Sequence, residues 1–185
     1  DVERGPRFFY DTLTIDGTKV LPEGEAESFF YSPQLLFQAK ESRVFTPALL
    51  ASGAGNLRAH LNTLGFLDAS VTAETIEVDR ATGATSSKVA ISEGPEYIFS
   101  ELTLEGDPNR DFLSAIDVER SIGKPYSRFL MQDIARLVRN LYHAHGYPEV
   151  SISSSTNKTK TEPGRVNIEL VLNIAPGPQV TVNEV

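Results

Sequence analysis

The sequence contains no cysteine. That excludes disulfides, thiolate metal sites and cysteine nucleophiles, and it fits an oxidising compartment as well as the cytosol. No apolar run approaches the roughly 20 residues that a membrane-spanning helix requires. The opening Asp1-Val2-Glu3-Arg4 lacks the basic start and apolar stretch of a signal peptide, so the chain reads as cytosolic or as a piece cut from something longer. Clustered basic charge is missing too. The formal net charge is −8 and the 17 lysines and arginines are scattered, which argues against a nucleic-acid binder.

Catalytic constellations are equally scarce. His143 and His145, two apart on a helix, point in roughly opposite directions and cannot share a metal. His60 falls on the flank of an apolar helical stripe, where one hydrogen bond would satisfy it. No Gly-x-Ser-x-Gly elbow surrounds the hydroxyl run Ser151-Ile152-Ser153-Ser154-Ser155. Gly53-Ala54-Gly55 sits in a predicted helix, without the context of a phosphate loop. Glu101 and Glu105 share an outer strand face, where solvation accounts for them. The expectation is a protein without catalytic residues, metal or cofactor.

What the chain does have is an internal repeat. Gly5-Pro6 recurs as Gly94-Pro95, 89 residues on, and again as Gly177-Pro178, a further 83 residues on. Leu13, Leu102 and Val185 correspond, as do Gly17 and Gly106. A second signature, Gly65-Phe66-Leu67-Asp68-Ala69-Ser70-Val71, returns as Gly146-Tyr147-Pro148-Glu149-Val150-Ser151-Ile152 at an offset of 81. Phe45-Thr46 and Tyr126-Ser127 share that offset. The first copy therefore carries eight extra residues, placed at about Leu21 to Phe30. The expected division is 1–6 as the end of a preceding repeat or linker, 7–96 and 97–177 as two domains, and 178–185 as the start of another repeat.

Each unit opens on a strand whose apolar residues alternate: Leu13 and Ile15 in the first, Ile98, Leu102 and Leu104 in the second. An amphipathic helix follows. Ser127 and Thr46 are the predicted N-caps, with Pro47 at the first helical position. The second helix carries the stripe Leu130, Ile134, Leu137, Val138 and Leu141. The first carries Leu49, Gly53, Leu57, His60 and Leu64, and alanine at Gly53 should stabilise it. A shorter helix is expected before each long one, around Pro33 to Lys40 and Asp117 to Ile122. Two strands close each unit. They turn near Ala81-Thr82-Gly83 in the first, and across a polar loop from Asn157 to Gly164 in the second. The fold class is α+β: two tandem β-α-α-β-β domains, each a three-stranded sheet covered on one face by two helices.

That order resembles the polypeptide-transport-associated (POTRA) domain of BamA- and TamA-like outer-membrane assembly proteins. The residues that carry the likeness are Gly146-Tyr147 with Val150, Gly65-Phe66 with Ala69, and the closing Glu93-Gly94-Pro95 and Pro176-Gly177-Pro178. The resemblance implies a periplasmic scaffold, tethered to the outer membrane through a C-terminal barrel absent from this chain. It would bind unfolded β-rich outer-membrane protein clients and dock accessory periplasmic proteins or lipoproteins. The alternative is a structural spacer or adhesion-type array. Strand addition would use the edges Ala69, Ser70, Val71, Thr72 and Ala73, and Val150, Ser151, Ile152, Ser153 and Ser154. The residues Gly94, Pro95, Glu96, Pro176, Gly177 and Pro178 would form the inter-domain joints.

Overall fold

The computed structural model describes residues 7–22, 24–31, 39–109, 111 and 116–181. It divides into two compact units, Asp1–Asn62 with Asp68–Gly94, and Thr63–Leu67 with Pro95–Val185.

In the first unit, β1 (Phe9–Asp16) leads through a 3-10 turn at Ala26–Phe29 and another at Lys40–Ser42 into α1 (Pro47–Thr63). The chain then returns as β2 (Ser70–Val78) and β3 (Ala84–Ser92). The sheet order is β1-β3-β2, with β1 and β3 parallel and β2 and β3 antiparallel. Thr46 caps α1, its hydroxyl accepting from the Leu49 N–H at 3.1 Å, and Pro47 fills the first position, where a missing N–H costs nothing. The second unit repeats the plan: β4 (Glu96–Gly106), a 3-10 turn at Glu119–Ser121, α2 (Arg128–Ala144), β5 (Ser151–Glu162) and β6 (Arg165–Ala175), in the order β4-β6-β5. Ser127 caps α2 through the Leu130 N–H at 3.2 Å. Gly146 follows α2 at φ +83°, a backbone angle that side chains with a Cβ rarely adopt.

The core of the second unit lies between α2 and one sheet face. Val166, Ile168, Leu170, Leu172 and Ile174 of β6 meet Ile134, Val138 and Tyr142 of α2, with Tyr97 and Phe99 of β4 beside them. Burying each such side chain contributes about 1.5–3 kcal/mol. The first unit places Thr85, Ser87, Val89 and Ile91 where β6 has Ile168, Leu170, Leu172 and Ile174. Its core is therefore more polar. The hydroxyls of Thr85, Ser87 and Tyr10 are buried with no hydrogen-bond partner.

Several expectations are corrected. Ile98 does not share a face with Leu102 and Leu104. A bulge at Ser100 shifts the register between Phe99 and Glu101, so Tyr97 and Phe99 join the core while Ile98, buried elsewhere, bridges Pro125. An equivalent bulge interrupts β1 between Tyr10 and Thr12. On α2 the stripe runs through Tyr142, and Leu137 is 53% exposed. On α1 it is Leu50, Gly53, Ala54, Leu57 and Leu61 that are buried, while Leu49 is exposed and Leu64 lies past the helix end. The polar loop from Asn157 is absent: β5 continues to Glu162, and only Pro163 and Gly164 separate it from β6. Pairing to β6 along its whole length holds this polar segment extended. The expected helix around Asp117 to Ile122 is a single 3-10 turn, and the one around Pro33 to Lys40 falls almost wholly outside the described residues.

Gly53 is also read differently. A Cβ there would stand 2.6 Å from Phe30 Cδ1 and 2.8 Å from the Phe29 carbonyl oxygen. Gly53 occupies the position of Ile134 on α2, and the ring of buried Phe30, from the eight-residue insertion, lies against the space a side chain would take. The insertion is thus part of the core, with Leu21 and Ala26 buried as well. His60 lies beside it, 3.5 Å from Glu25 Oε1 and ring to ring with Phe29 at 5.3 Å.

Candidate protein-binding edges

A three-stranded sheet has two outer strands, each with a row of backbone donors and acceptors facing away from the sheet. In both units the chain entering the long helix covers the start of one of them. The Tyr10 N–H of β1 donates to the Arg43 carbonyl at 2.8 Å, and the Phe45 N–H to the Phe8 carbonyl at 2.9 Å. The same pair of bonds recurs on β4, from Phe99 N to Lys124 O at 3.0 Å and from Tyr126 N to Tyr97 O at 2.7 Å. The opposite edges are different. Among the described residues no strand lies beyond β2 or β5.

On β5, the pairing with β6 assigns the side chains from Ser151 to Lys158 to a face. Ser151, Ser153, Ser155 and Asn157 lie opposite Ala175, Asn173, Val171 and Glu169, on the face away from the core. Ile152, Ser154 and Thr156 lie opposite Ile174, Leu172 and Leu170, on the helix side. Ser154 and Thr156 are nevertheless exposed, so the helical layer leaves this margin open. On the outer face Glu169 accepts from Thr103 Oγ1 and from Asn157 Nδ2, and these two bonds lower its pKa below the ordinary carboxylate value. Asn157 thereby ties the edge strand to the centre of the sheet.

The ten expected edge residues divide into three kinds. Ser70, Thr72, Ser151, Ser153 and Ser154 are exposed strand residues, and Val71, Ala73 and Ile152 are half-buried with their side chains toward the core. Ala69 and Val150 stand one residue before their strands and are buried, so they anchor the entry rather than line the edge. Both edges also run further than expected, to Val78 and Glu162. Each carries a bulge in its second half, between Thr75 and Glu77 and between Lys158 and Lys160. Bulges and lysines are common means of preventing indiscriminate edge pairing. The unguarded stretches are therefore Ser70–Thr75 and Ser151–Asn157. Sequence reasoning missed the length of these edges and a cleft beside β2, lined by Phe8, Phe45, Thr46, Pro47, Val78 and Arg80. The coverage of the opposite edges was not read either; it arises from backbone bonds that leave no residue-type signature.

The expected joint residues occupy matching places. Gly94 and Gly177 both have φ +72°, and a Cβ on them would lie 3.2 Å from the Asp68 Cβ and 3.3 Å from the Glu149 Cβ. Among the described residues no three His, Asp or Glu side chains converge as a metal site, and no helix is long and apolar enough to cross a membrane.

No family model and no curated protein matches the chain. Solved structures do. POTRA domains 3–5 of Haemophilus influenzae BamA match at 13% identity with a TM-score of 0.54, over 97% of this chain and 69% of that one. BamA from Haemophilus ducreyi lacking POTRA domains 1–3 matches at 14% identity with a TM-score of 0.52, over 90% of this chain and 29% of that one. The chain thus spans less than a third of the second protein. This chain has two mixed three-stranded sheets of one strand order, each with a long helix, and with the likeness to these structures it carries the POTRA fold twice in tandem.

Proposed function

We propose that this chain is a binding scaffold that captures extended segments of β-rich proteins by adding them as strands to β5 and β2. The observation that carries this reading is the asymmetry of the sheet edges: one closed at its start by the chain's own backbone, the other, among the described residues, open and polar but not guarded along its first half. Backbone pairing is nearly indifferent to sequence, which suits a scaffold with many clients. Affinity is low, because a flexible client loses conformational entropy on ordering. The likeness of fold to BamA domains supports a role in outer-membrane protein assembly or transport, in the periplasm, without catalysis. Accessory proteins would dock on the same scaffold. The segments 94–96 and 176–178 serve as restrained joints between independently folding domains, glycine widening and proline narrowing the accessible angles.

The test is proline at Ser153 and, separately, at Ser154, with the same pair at Thr72 and Ala73. Along an antiparallel edge the N–H groups alternate between the partner strand and the outside. One member of each pair therefore loses an outward donor while leaving the ladder intact. A folded variant with weakened binding of strand-forming peptides is the expected result. If every folded variant binds as the parent does, a structural spacer becomes the better reading.

A further inference from the structure

The two units differ at one place on their edges. In the second unit, Lys158 stands immediately before the edge-strand bulge, on the helix side, opposite Ile168. Its Nζ lies 5.1 Å from the Tyr97 ring centroid and 3.1 Å from the Tyr97 hydroxyl. The corresponding residues of the first unit are Val78, opposite Thr85, which pairs with Tyr10 as Ile168 pairs with Phe99, and Phe8, which shares the covering bond pattern of Tyr97. Valine is too short to lie across that ring. An apolar cleft of about 550 Å³ is open there, walled by Phe8, Phe45, Pro47 and Val78, with Arg80 at its rim. Val78 remains 40% exposed, and so does the bulge residue Ile76, at 61%.

We propose that this cleft takes an aromatic side chain from the strand that adds to β2, and that the same strand is basic on its other face. The proposal rests on the edge-addition reading and names the client chemistry that β2 selects. Side chains of an added strand alternate between the two sheet faces. Those on the helix side pass over Thr75 and Val78 toward the cleft, where an aromatic ring gains burial against Phe8 and Phe45 and contact with the Arg80 guanidinium. Those on the outer face pass Glu74 and Glu77, both exposed and on the face away from the core. Lys88, opposite Glu74, is paired instead with Asp16 at 3.4 Å. A lysine or arginine on the client complements these two carboxylates. The preferred segment thus alternates aromatic or apolar residues with basic ones.

The experiment is a titration of the isotope-labelled chain with a strand-forming peptide of about ten residues, followed by amide chemical shifts. The parent peptide carries one Phe on one face and two Lys on the other. Its two relatives replace Phe by Ser, or both Lys by Glu. The Phe→Ser peptide is expected to bind β2 about tenfold more weakly, the loss for withdrawing one aromatic side chain from a cleft. Val78→Lys, at an exposed position on the cleft wall and copying the second unit, should abolish that difference by closing the cleft, and Arg80→Ser should reduce it. The Lys→Glu peptide should be weakest at low salt. If all three peptides bind equally while shifts run along β2, edge addition stands and the cleft proposal is overturned. If none shifts β2, edge addition at this strand fails and the cleft proposal fails with it.

Discussion

Two glycines on α1 separate helix propensity from packing. Replacing either with alanine removes the glycine penalty, about 1 kcal/mol in a helix interior. At Gly55 nothing lies within 4 Å of the added methyl group, so Gly55→Ala should stabilise the first unit by about 0.5–1 kcal/mol. At Gly53 the same methyl falls 2.6 Å from the Phe30 ring and 2.8 Å from the Phe29 carbonyl oxygen. The second contact is with backbone, which has little room to yield. Overpacking of this kind costs about 1–3 kcal/mol. It exceeds the propensity gain, and Gly53→Ala should destabilise by about 1 kcal/mol. Urea unfolding followed by circular dichroism reads both, as shifts of the midpoint in opposite directions at an unchanged slope. Equal stabilisation by the two substitutions would mean that the insertion does not pack on α1 as described.

The polar core of the first unit yields two more expectations. Thr85→Val removes a buried hydroxyl without a partner and leaves a β-branched apolar side chain where β6 has Ile168, so it should stabilise by about 1 kcal/mol in the same assay. Burial, with Tyr31 as the lesser cause, raises the Tyr10 pKa from 10.0 to about 12. Between those values the unfolded chain has lost a proton that the folded chain keeps, so stability is intact below about pH 10 and falls as pH rises toward about 12. Tyr10→Phe, matching Phe99 of the second unit, should reduce that alkaline loss; an identical decline in the variant would mean that Tyr10 is not its source.

The repeat made most of the fold legible. Offsets alone placed both long helices, their caps and the last two strands of each unit, because turns and caps need particular residues: Thr46-Pro47, Ser127, Gly65 and Gly146. Period-two reading failed where a bulge intervened, as at Ser100, since an extra residue moves every later side chain to the other face. Polarity misled at Asn157–Glu162, where exposure on an edge and not absence of a strand explains the composition. Gly53 looked like a flaw in a helix because its neighbour Phe30 is distant in sequence. The open edges could be named in advance only through the family resemblance. Their contrast with the covered edges depends on backbone hydrogen bonds.

The most direct measurement of strand capture is amide hydrogen exchange of the whole chain with and without a saturating strand-forming peptide. Every second amide in Ser151–Asn157 and in Ser70–Thr75 faces outward and should exchange rapidly in the free chain. Slowing of those amides on peptide binding, with α1, α2 and the covered edges β1 and β4 unchanged, is the expected result. Protection confined to the helices, or no change along β2 and β5 while the peptide is bound, would contradict capture by strand addition.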